Sequence, residues 1–554
     1  MDRIIPICKL FSAAAIGAAA IVASPASAIK PDNKSIESFA HAWAAEVTEN
    51  DAEAAGKYLA LLNKNPSNPS VSARLWESSI RAGDRAKALR AARALELQGG
   101  VSEAALLIFG DALQKRDWKS AAATIKSLKD GNNYSFAAPL FAAWLSTARG
   151  RPTAFSVPAD NNLLRFYSGD QPAYLALASG DMAKAKSSLS ALASVDTGHV
   201  VDLRVRAAPV MAANGEQEFS RTLLQGLVPN DIIDTLSASR QRRELAKFAP
   251  EDGLSAFYTR LANALIEQGA PEKSLVIGRI ATWLSPENVA AKLVLARALG
   301  SVGLGSKAGK ILTSIDEKSP YWARAISDEI RGLSKAGKHS EAVTLATKAL
   351  ARRNSADLGV LLGQVQEAAG EFEKARATYA KLANGADAAR IAPQRRAVFY
   401  LYLATVTHKL GDWQAARQLL EKGQALDPQN AYLSNYFGYS LLERKERLGD
   451  ALEMLQRAHR LAPASMAIAD SLGWGYYLTG DYSNAVKYLE KAARGSGSDL
   501  TINEHLGDAY WLSGRFIDAR YAWRVAALGA EGDDAERLTN KISLGLESSD
   551  TRQN

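Results

Sequence analysis

Hydrophobic positions along the chain follow the period of an α-helix, and the helices that they predict come in pairs. A glycine ends the first helix of many pairs and an aspartate follows it, as in Gly83-Asp84, Gly180-Asp181, Gly411-Asp412 and Gly480-Asp481. Glycine adopts the left-handed conformation that ends a helix, and aspartate can accept hydrogen bonds from the free N–H groups of the next helix. The pattern therefore predicts a succession of helix–turn–helix units.

The units repeat at a nearly constant spacing. A small residue lies five positions after the glycine, where it lets the two helices approach closely. Three series of such residues are Ala55, Ala88 and Ala121, then Ser274, Ala308 and Ala342, and then Ala416, Ala451, Ala485 and Ala519, with steps of 33 to 35 residues. A single helix pair cannot bury its apolar face alone, so neighbouring pairs must stack. We therefore predict an all-α fold, an α-α superhelix (solenoid) of about thirteen stacked helix pairs.

Three repeats near the carboxy terminus carry a fuller motif. Their first helices contain Ser471–Tyr476, His505–Tyr510 and Asn435–Gly438, and their second helices continue with Ala485 and Leu489, with Ala519 and Trp523, and with Ala451 and Leu455. These runs resemble the tetratricopeptide (TPR) repeat, and the chain resembles an exported bacterial TPR protein. The resemblance implies first helices that line a concave groove for peptides or proteins, and it implies no enzymatic activity.

The quality of the repeats divides the sequence into five parts. We expect a signal peptide at 1–28, degenerate TPR-like helical repeats at 29–250, TPR-like repeats at 251–394, well-matched TPR repeats at 395–530 and a polar carboxy-terminal tail at 531–554. Toward the amino terminus the match depends mainly on spacing.

Residues 1–28 have the three parts of a secretory signal peptide. A basic head with Arg3 and Lys9 precedes a 14-residue apolar stretch that ends at Ala23, and Ala26-Ser27-Ala28 supplies small residues at the spacing of a cleavage site. A helix of that apolar length spans only about 21 Å, less than the ~30 Å hydrocarbon layer, so cleavage is favoured over a membrane anchor. We therefore predict cleavage after Ala28 and a periplasmic protein that is not an integral membrane protein.

Composition narrows the class of protein. The 554 residues include 47% hydrophobic and 23% charged residues, which is typical of a globular chain. Cys8 is the single cysteine, so the chain cannot form a disulfide framework or a cysteine-ligated zinc site within itself. Without residues 1–28 the chain carries 65 basic and 58 acidic side chains, a modest excess of +7. That excess suits a solvated surface, and export disfavours a nucleic-acid partner.

The sequence contains partial matches to catalytic and metal-binding motifs, but they lack the required residues or spacing. The segment 303–310 looks like a phosphate-binding loop, but Leu304 stands where the first glycine belongs and Ile311 stands where Ser or Thr would bind magnesium. The six histidines are scattered without the spacing of metal ligands. We therefore predict a non-catalytic protein with no cofactor and no metal site.

The sharpest functional signal lies in the first helices of the well-matched repeats. Positions one turn before and one turn after the motif glycine should face the concave groove. The predicted partner-binding groove consists of Asn435, Tyr439, Asp470, Trp474, Tyr477, Glu504, Asp508 and Trp511. Its aromatic residues offer rigid contact area, and its carboxylates can pair with basic groups of a ligand. An equally weighted interpretation is that Trp474, Tyr477 and Trp511 pack between helices.

Two functional hypotheses remain at this point. The first is a non-catalytic exported TPR scaffold that mediates protein–protein interactions in the cell envelope and holds a protein or peptide in the groove of its carboxy-terminal repeats. The alternative is a binding or assembly factor for an anionic envelope polymer or polysaccharide. That alternative depends on the basic segment 74–93, which carries five arginines and Lys87.

Overall fold

The structure is a computed structural model, and it describes residues 33–99, 102–129, 133–192, 195, 197–227, 233, 248–386 and 388–546. The predicted signal peptide, with its cleavage site after Ala28, lies outside these ranges. The described chain forms 29 α-helices and two short 3-10 helices, and no strand occurs within these ranges. The prediction of an all-α fold is confirmed.

The chain divides into two compact units, and the first, the amino-terminal unit, comprises residues 1–336. Its described helices, numbered in chain order, are α1 Asn33–Val47, α2 Asp51–Lys64, α3 Pro69–Ala82, α4 Arg85–Leu97, α5 Ser102–Gln114, α6 Trp118–Lys129, α7 Ala138–Ala148, α8 Asn162–Tyr167, α9 Gln171–Ser179, α10 Met182–Leu192, α11 Gly198–Ala213, α12 Gln217–Leu224, α13 Pro250–Glu267, α14 Pro271–Leu284, α15 Val289–Ser301, α16 Gly305–Thr313 and α17 Trp322–Lys335. A 3-10 turn, Ser135–Ala137, precedes α7.

The second, the carboxy-terminal unit, comprises residues 337–554. Its described helices are α18 His339–Arg352, α19 Ala356–Ala368, α20 Phe372–Asn384, α21 Pro393–Lys409, α22 Trp413–Leu426, α23 Ala431–Glu443, α24 Leu448–Leu461, α25 Met466–Leu478, α26 Tyr482–Ser496, α27 Leu500–Leu512, α28 Phe516–Ala527 and α29 Gly532–Leu544, with a 3-10 turn at Ala388–Arg390. Helix α29 lies in the segment 531–554, for which the sequence predicts only a polar tail. The segment is polar, but part of it forms a helix, α29, whose side chains contact residues of α27 about one repeat earlier in the sequence.

The turns between paired helices form as the glycine–aspartate pattern predicts. Gly83 ends α3 with φ of 80°, and the Asp84 side chain accepts a hydrogen bond from the Lys87 N–H at the start of α4. Gly480 has φ of 82°, and Asp481 caps α26 in the same way. Because only glycine adopts this φ without strain, the residue fixes the end of the first helix.

Close helix packing explains the TPR motif in the carboxy-terminal unit. A methyl group added at Gly473 would lie 2.6 Å from the Leu489 side chain, and one added at Gly507 would lie 2.3 Å from the Trp523 ring. Ala485 and Ala519 are completely buried. Leu489 and Trp523 on the second helices therefore pack directly onto the motif glycines of the first helices. The two helices of each of these repeats are in close contact, as the motif predicts.

The amino-terminal unit adds contacts between helices that are far apart in sequence. Helix α14 packs against α3 and α5, and α13 packs against α5, α7 and α9. The Arg279 Nε–H donates to the Ile80 carbonyl at 3.1 Å, and the Tyr258 hydroxyl donates to the Leu106 carbonyl at 3.3 Å. The unit therefore folds back on itself rather than stacking only neighbouring pairs.

Candidate functional site

The eight predicted groove residues lie on three successive first helices, α23, α25 and α27. Helix α25 contacts both α23 and α27, so their equivalent faces form one continuous wall. The stacking predicted from the repeat spacing is therefore present. The eight side chains differ in what they contact, however, and these contacts decide which of them are available to a partner.

Asp470 and Trp474 are engaged with the next repeat. The Asp470 carboxylate is 2.9 Å from Nδ1 of His505, and both residues are buried. The Trp474 ring stacks between His505, at 4.1 Å between centroids, and Tyr477, at 4.4 Å. Its indole N–H donates to Glu443 at 2.8 Å. These residues form a ladder between repeats, so packing accounts for much of their surface.

Glu504 and Asp508 are bound by α29, the last helix of the described residues. Arg537 of α29 binds both oxygens of Glu504, at 2.9 and 2.8 Å. Lys541, one helical turn further along, donates to Glu504 at 2.7 Å and to both oxygens of Asp508 at 2.8 and 2.9 Å. The indole N–H of Trp523 also donates to Asp508, at 2.8 Å.

Burial and ion pairing act in opposite directions on these two carboxyl groups. Burial alone would raise the pKa of Glu504, but the hydrogen bonds and charges of Arg537 and Lys541 outweigh it and lower the pKa to about 2. Asp508 is more deeply buried, and burial raises its pKa although Lys541 and Trp523 oppose that shift. Glu504 is therefore held as a carboxylate by α29.

Trp511 contacts other parts of its own repeat and the segment that follows α29. Its ring lies 4.7 Å from Phe516 and 5.5 Å from Trp523 between centroids, and the Arg520 guanidinium lies 4.9 Å from the ring centre. A methyl group added at Gly545 would overlap the Trp511 ring at 2.0 Å. For Trp511 the packing interpretation therefore accounts for the observed contacts.

Three residues that occupy this part of the wall were not predicted from the sequence: His505, Arg537 and Lys541. Arg537 and Lys541 each follow their acidic partner, Glu504 or Asp508, by 33 residues, which is one repeat. Extending the repeat period into the segment 531–554 would have predicted this pairing. His505 was visible in the motif, but its pairing with Asp470 depends on how adjacent helices are rotated.

Asn435 and Tyr439 lie outside the region that α29 covers. The Asn435 side-chain carbonyl is buried and has no hydrogen-bond partner among the described residues. Tyr439 is half-buried, and burial followed by the neighbouring Glu443 carboxylate raises its pKa. Tyr432, one turn before Asn435, is 65% exposed and was not selected from the sequence. These residues form the solvent-facing part of the predicted groove.

The same positions continue into the two preceding first helices. They are Val360 and Gln364 on α19, and Leu401 and Thr405 on α21, which repeat the places of Asn435 and Tyr439 on α23. All six residues retain exposed surface. We call this set of six residues the upstream groove. It alternates apolar and uncharged polar side chains, in contrast to the ion-paired wall of the last repeat.

Most cations of the basic segment 74–93 in the amino-terminal unit have a carboxylate partner within the described chain. Five of its six cations pair with carboxylates: Arg74 with Glu46, Arg81 with Asp51, Arg85 and Arg93 with Asp111, and Lys87 with Asp84. The Asp51 carboxylate is completely buried and also binds Lys307. An anionic polymer would have to replace these internal partners, so the pairing weighs against the polymer hypothesis, which stays a prediction.

Within the described ranges, no group of three or more His, Cys, Asp or Glu side chains is placed to hold a metal ion. Among the helices of the described chain, none has both the length and the apolar composition needed to cross a bilayer.

Comparison with known proteins identifies the repeats. The family model described as tetratricopeptide repeat matches residues 295–528. The TPR repeat-containing protein PA4667 of Pseudomonas aeruginosa is 43% identical over 61 residues, which are 11% of this chain and 10% of that protein. The match therefore spans only a tenth of the length of this curated relative.

Solved structures of repeat proteins align with a larger part of the chain at low identity. The yeast Tom70 structure is 14% identical, covers 93% of this chain and 96% of its own, and has a TM-score of 0.39. The Cut9–Hcn1 hetero-tetramer of APC/C is 15% identical, covers 91% and 95%, and has a TM-score of 0.36. The fold assignment rests on the helix packing described above.

Proposed function

This chain is a tetratricopeptide-repeat protein with matched repeats over residues 295–528, and on that premise we propose that it is a non-catalytic, exported scaffold that binds a protein or peptide in its upstream groove. TPR proteins bind protein partners, which gives the general function. We propose in addition that the upstream groove is the binding surface, that the protein acts in the cell envelope, and that it catalyses no reaction.

One observation carries the choice of surface. Helix α29 occupies the wall of the last repeat through Arg537 and Lys541, whereas the six residues of the upstream groove keep exposed surface. A partner at Glu504 and Asp508 would have to break buried ion pairs, and breaking such a pair by removing one side costs about 3–5 kcal/mol. A partner in the upstream groove breaks none of these contacts.

The chemistry of the upstream groove favours an extended or helical segment without a high charge. Val360 and Leu401 offer apolar surface, and the exposed Gln364 amide can donate and accept hydrogen bonds. Tyr439 offers a large rigid ring, the kind of side chain that dominates binding energy at interfaces. The groove therefore suits a neutral, partly apolar peptide better than the basic ligand that the acidic residues suggested from the sequence.

Site-specific photo-cross-linking tests this proposal. A photoreactive residue replaces Gln364 in the upstream groove, and in a matched control it replaces Gln418, which is exposed on α22. We expect one partner to cross-link from position 364 and not from position 418. Tyr439→Ala should weaken binding of that partner about thirtyfold, the effect of losing an aromatic hot spot.

Trp511→Ala tests whether the partner binds in the upstream groove or at the wall of the last repeat. Because Trp511 packs against Trp523 and Phe516, its loss should destabilise α28 and α29 and leave the cross-link from position 364 unchanged. Equal cross-linking from positions 364 and 418, or loss of capture in Trp511→Ala without loss in Tyr439→Ala, would contradict the proposed surface.

The export part of the proposal has its own measurement. Mass spectrometry of the protein from the periplasmic fraction should find a mature amino terminus at Ile29. A chain that retains residues 1–28 in the cytosolic fraction would contradict export and leave the groove untested by that result alone.

A further inference from the structure

Large exposed hydrophobic side chains are concentrated on two helices of the described chain. Thirteen such side chains are at least 36% exposed, and four of them lie on α1: Ile36, Phe39, Trp43 and Val47. Another four lie on α28 or at its end: Phe516, Ile517, Tyr521 and Leu528. Contiguous exposed apolar surface of this kind marks interaction sites, whereas single exposed residues need no explanation.

The exposed residues of α1 form a narrow band along the helix. Ile36, Ala40, Trp43 and Val47 are spaced by four, three and four residues, and at 3.6 residues per turn they lie within about 60° around the axis. Ile36 is 55%, Trp43 53% and Val47 64% exposed. We call these four residues the amino-terminal stripe.

Helix α28 carries a band with the same spacing. Ile517, Tyr521, Arg524 and Leu528 are also separated by four, three and four residues, and Ile517 is 73%, Tyr521 62% and Leu528 80% exposed. Arg524 is exposed within the band, and its guanidinium lies 5.7 Å from the centre of the Tyr521 ring. We call these four residues the carboxy-terminal stripe.

The two stripes differ in charge in a complementary way. Glu37, beside the amino-terminal stripe, has a 71% exposed side chain, and its contact with His41 is long at 3.7 Å. Arg524 occupies the third place of the carboxy-terminal stripe, where the other stripe has Trp43. A guanidinium can pair with a carboxylate and also pack on the face of an indole ring.

We propose that the protein associates head to tail, with the amino-terminal stripe of one copy packed on the carboxy-terminal stripe of a second copy. A second copy covers both apolar bands with one kind of contact. An anionic lipid surface would suit Arg524 but not Glu37, and pairing two carboxy-terminal stripes would bring two Arg524 side chains together. The contact is heterologous, so it can propagate into longer chains or close into a ring.

Sedimentation velocity of the purified full chain over a wide concentration range tests the association. We expect the mean mass to rise with concentration from that of a single chain. Trp43→Glu and Tyr521→Glu should each weaken association about thirtyfold or more, because each places a charge in the centre of an apolar contact. Leu97→Glu, at an apolar residue that is 90% exposed outside both stripes, should associate like the wild type.

Mixing the two variants shows whether the contact joins two different stripes or two identical ones. The Trp43→Glu copy keeps an intact carboxy-terminal stripe, and the Tyr521→Glu copy keeps an intact amino-terminal stripe. An equimolar mixture should therefore form a dimer of one copy each and stop there, although neither variant associates alone. Circular dichroism should show that both variants remain folded, because both substituted side chains are exposed.

Three results would overturn the proposal. The first is a wild-type chain that stays monomeric at every concentration. The second is association that survives both substitutions. The third is a mixture that associates no further than its two separate components while one variant still dimerises alone, which would indicate pairing of identical stripes.

Discussion

The two units use the same helix-pair building block but bury it in different ways. In the amino-terminal unit one continuous hydrophobic cluster extends from Ala42 to Ala325. In the carboxy-terminal unit the buried residues form several smaller clusters, such as the one around Ala485 and Leu489 and the one around Ala519 and Trp523. The first unit therefore resembles an ordinary globular core, and the second resembles a stack of local interfaces.

The difference explains why the TPR motif is clear in one unit and weak in the other. In the carboxy-terminal unit each helix meets the same kind of neighbour, so the same residue types recur at each position. In the amino-terminal unit α13 and α14 meet helices that precede them by more than a hundred residues, such as α3, α5 and α7. Each helix there has its own set of neighbours, and its sequence follows that set rather than the repeat.

The largest expected effect comes from filling a tight contact of the folded-back region. A methyl group at Gly253 on α13 would lie 2.1 Å from the Trp144 ring on α7. We expect Gly253→Ala to lower the free energy of unfolding of the amino-terminal unit by about 3 kcal/mol, the upper end for overpacking. Hydrogen exchange read separately over the two units should show the loss throughout residues 33–336 and little change beyond.

Gly56→Ala is the matched control for that substitution. Gly56 lies inside α2 and has open space where a methyl group would be added. Alanine there should stabilise the unit by about 0.5–1 kcal/mol, because it removes the backbone entropy cost of a glycine in a helix. If both alanines had the same effect, the close approach of α13 and α7 would not contribute to folding.

A smaller and more local effect is expected in the carboxy-terminal unit. Ala485→Leu or Ala519→Leu should cost about 2 kcal/mol by overpacking the contact between the two helices of a pair. Because repeats couple mainly to their neighbours, faster hydrogen exchange should appear in the substituted repeat and the adjacent ones. Ala377→Leu, at an exposed place on α20, should change stability by less than about 0.5 kcal/mol. If Ala485→Leu instead accelerated hydrogen exchange equally throughout the carboxy-terminal unit, that unit would be a single cooperative core.

Replacement of His199 should have the smallest effect on stability at neutral pH, and its effect appears only in acid. Burial, with a smaller contribution from Arg260, lowers the pKa of His199 from its ordinary 6.5 to about 4. The unfolded chain then gains a proton below pH 6.5 that the folded unit does not, so stability is lost as the pH falls to about 4. His199→Gln should match the wild type above pH 6.5 and become relatively more stable between pH 6.5 and 4. Burial raises the pKa of nearby Asp202 to about 6, which acts in the opposite direction in both proteins and cancels in the comparison.

For Glu504 in the carboxy-terminal unit, the stability difference between variant and wild type should shrink as the pH falls, whereas for His199 it grows. Its pKa falls from 4.5 to about 2, so its contribution to stability is complete above pH 4.5 and disappears as the pH falls to about 2. Glu504→Gln should therefore be less stable than the wild type at neutral pH, with the difference shrinking between pH 4.5 and 2. Denaturant unfolding at a series of pH values measures both differences. An unchanged gap across that range would contradict the pairing of Glu504 with α29.

Much of the candidate wall was predictable because repeats convert sequence spacing into spatial order. Asp470 and Glu504, one repeat apart, do lie on adjacent first helices, α25 and α27, as their spacing predicts. Their partners were not predictable from the motif, because the motif specifies contacts inside a pair and not contacts between pairs. His505 and Lys541 reach across to the preceding repeat, and such contacts depend on helix rotation and side-chain length.

The sequence by itself determined the all-α class, the paired helices, their glycine turns and the small buried positions such as Ala485. These features follow from local rules, since helix period, helix termination and close packing within one pair involve residues that are near in sequence. The tertiary structure decided that α13 and α14 fold back onto earlier helices, that most cations of 74–93 are already paired, and that α29 covers the last repeat. Those outcomes depend on contacts between residues that are far apart along the chain, and no local pattern specifies which distant surfaces meet.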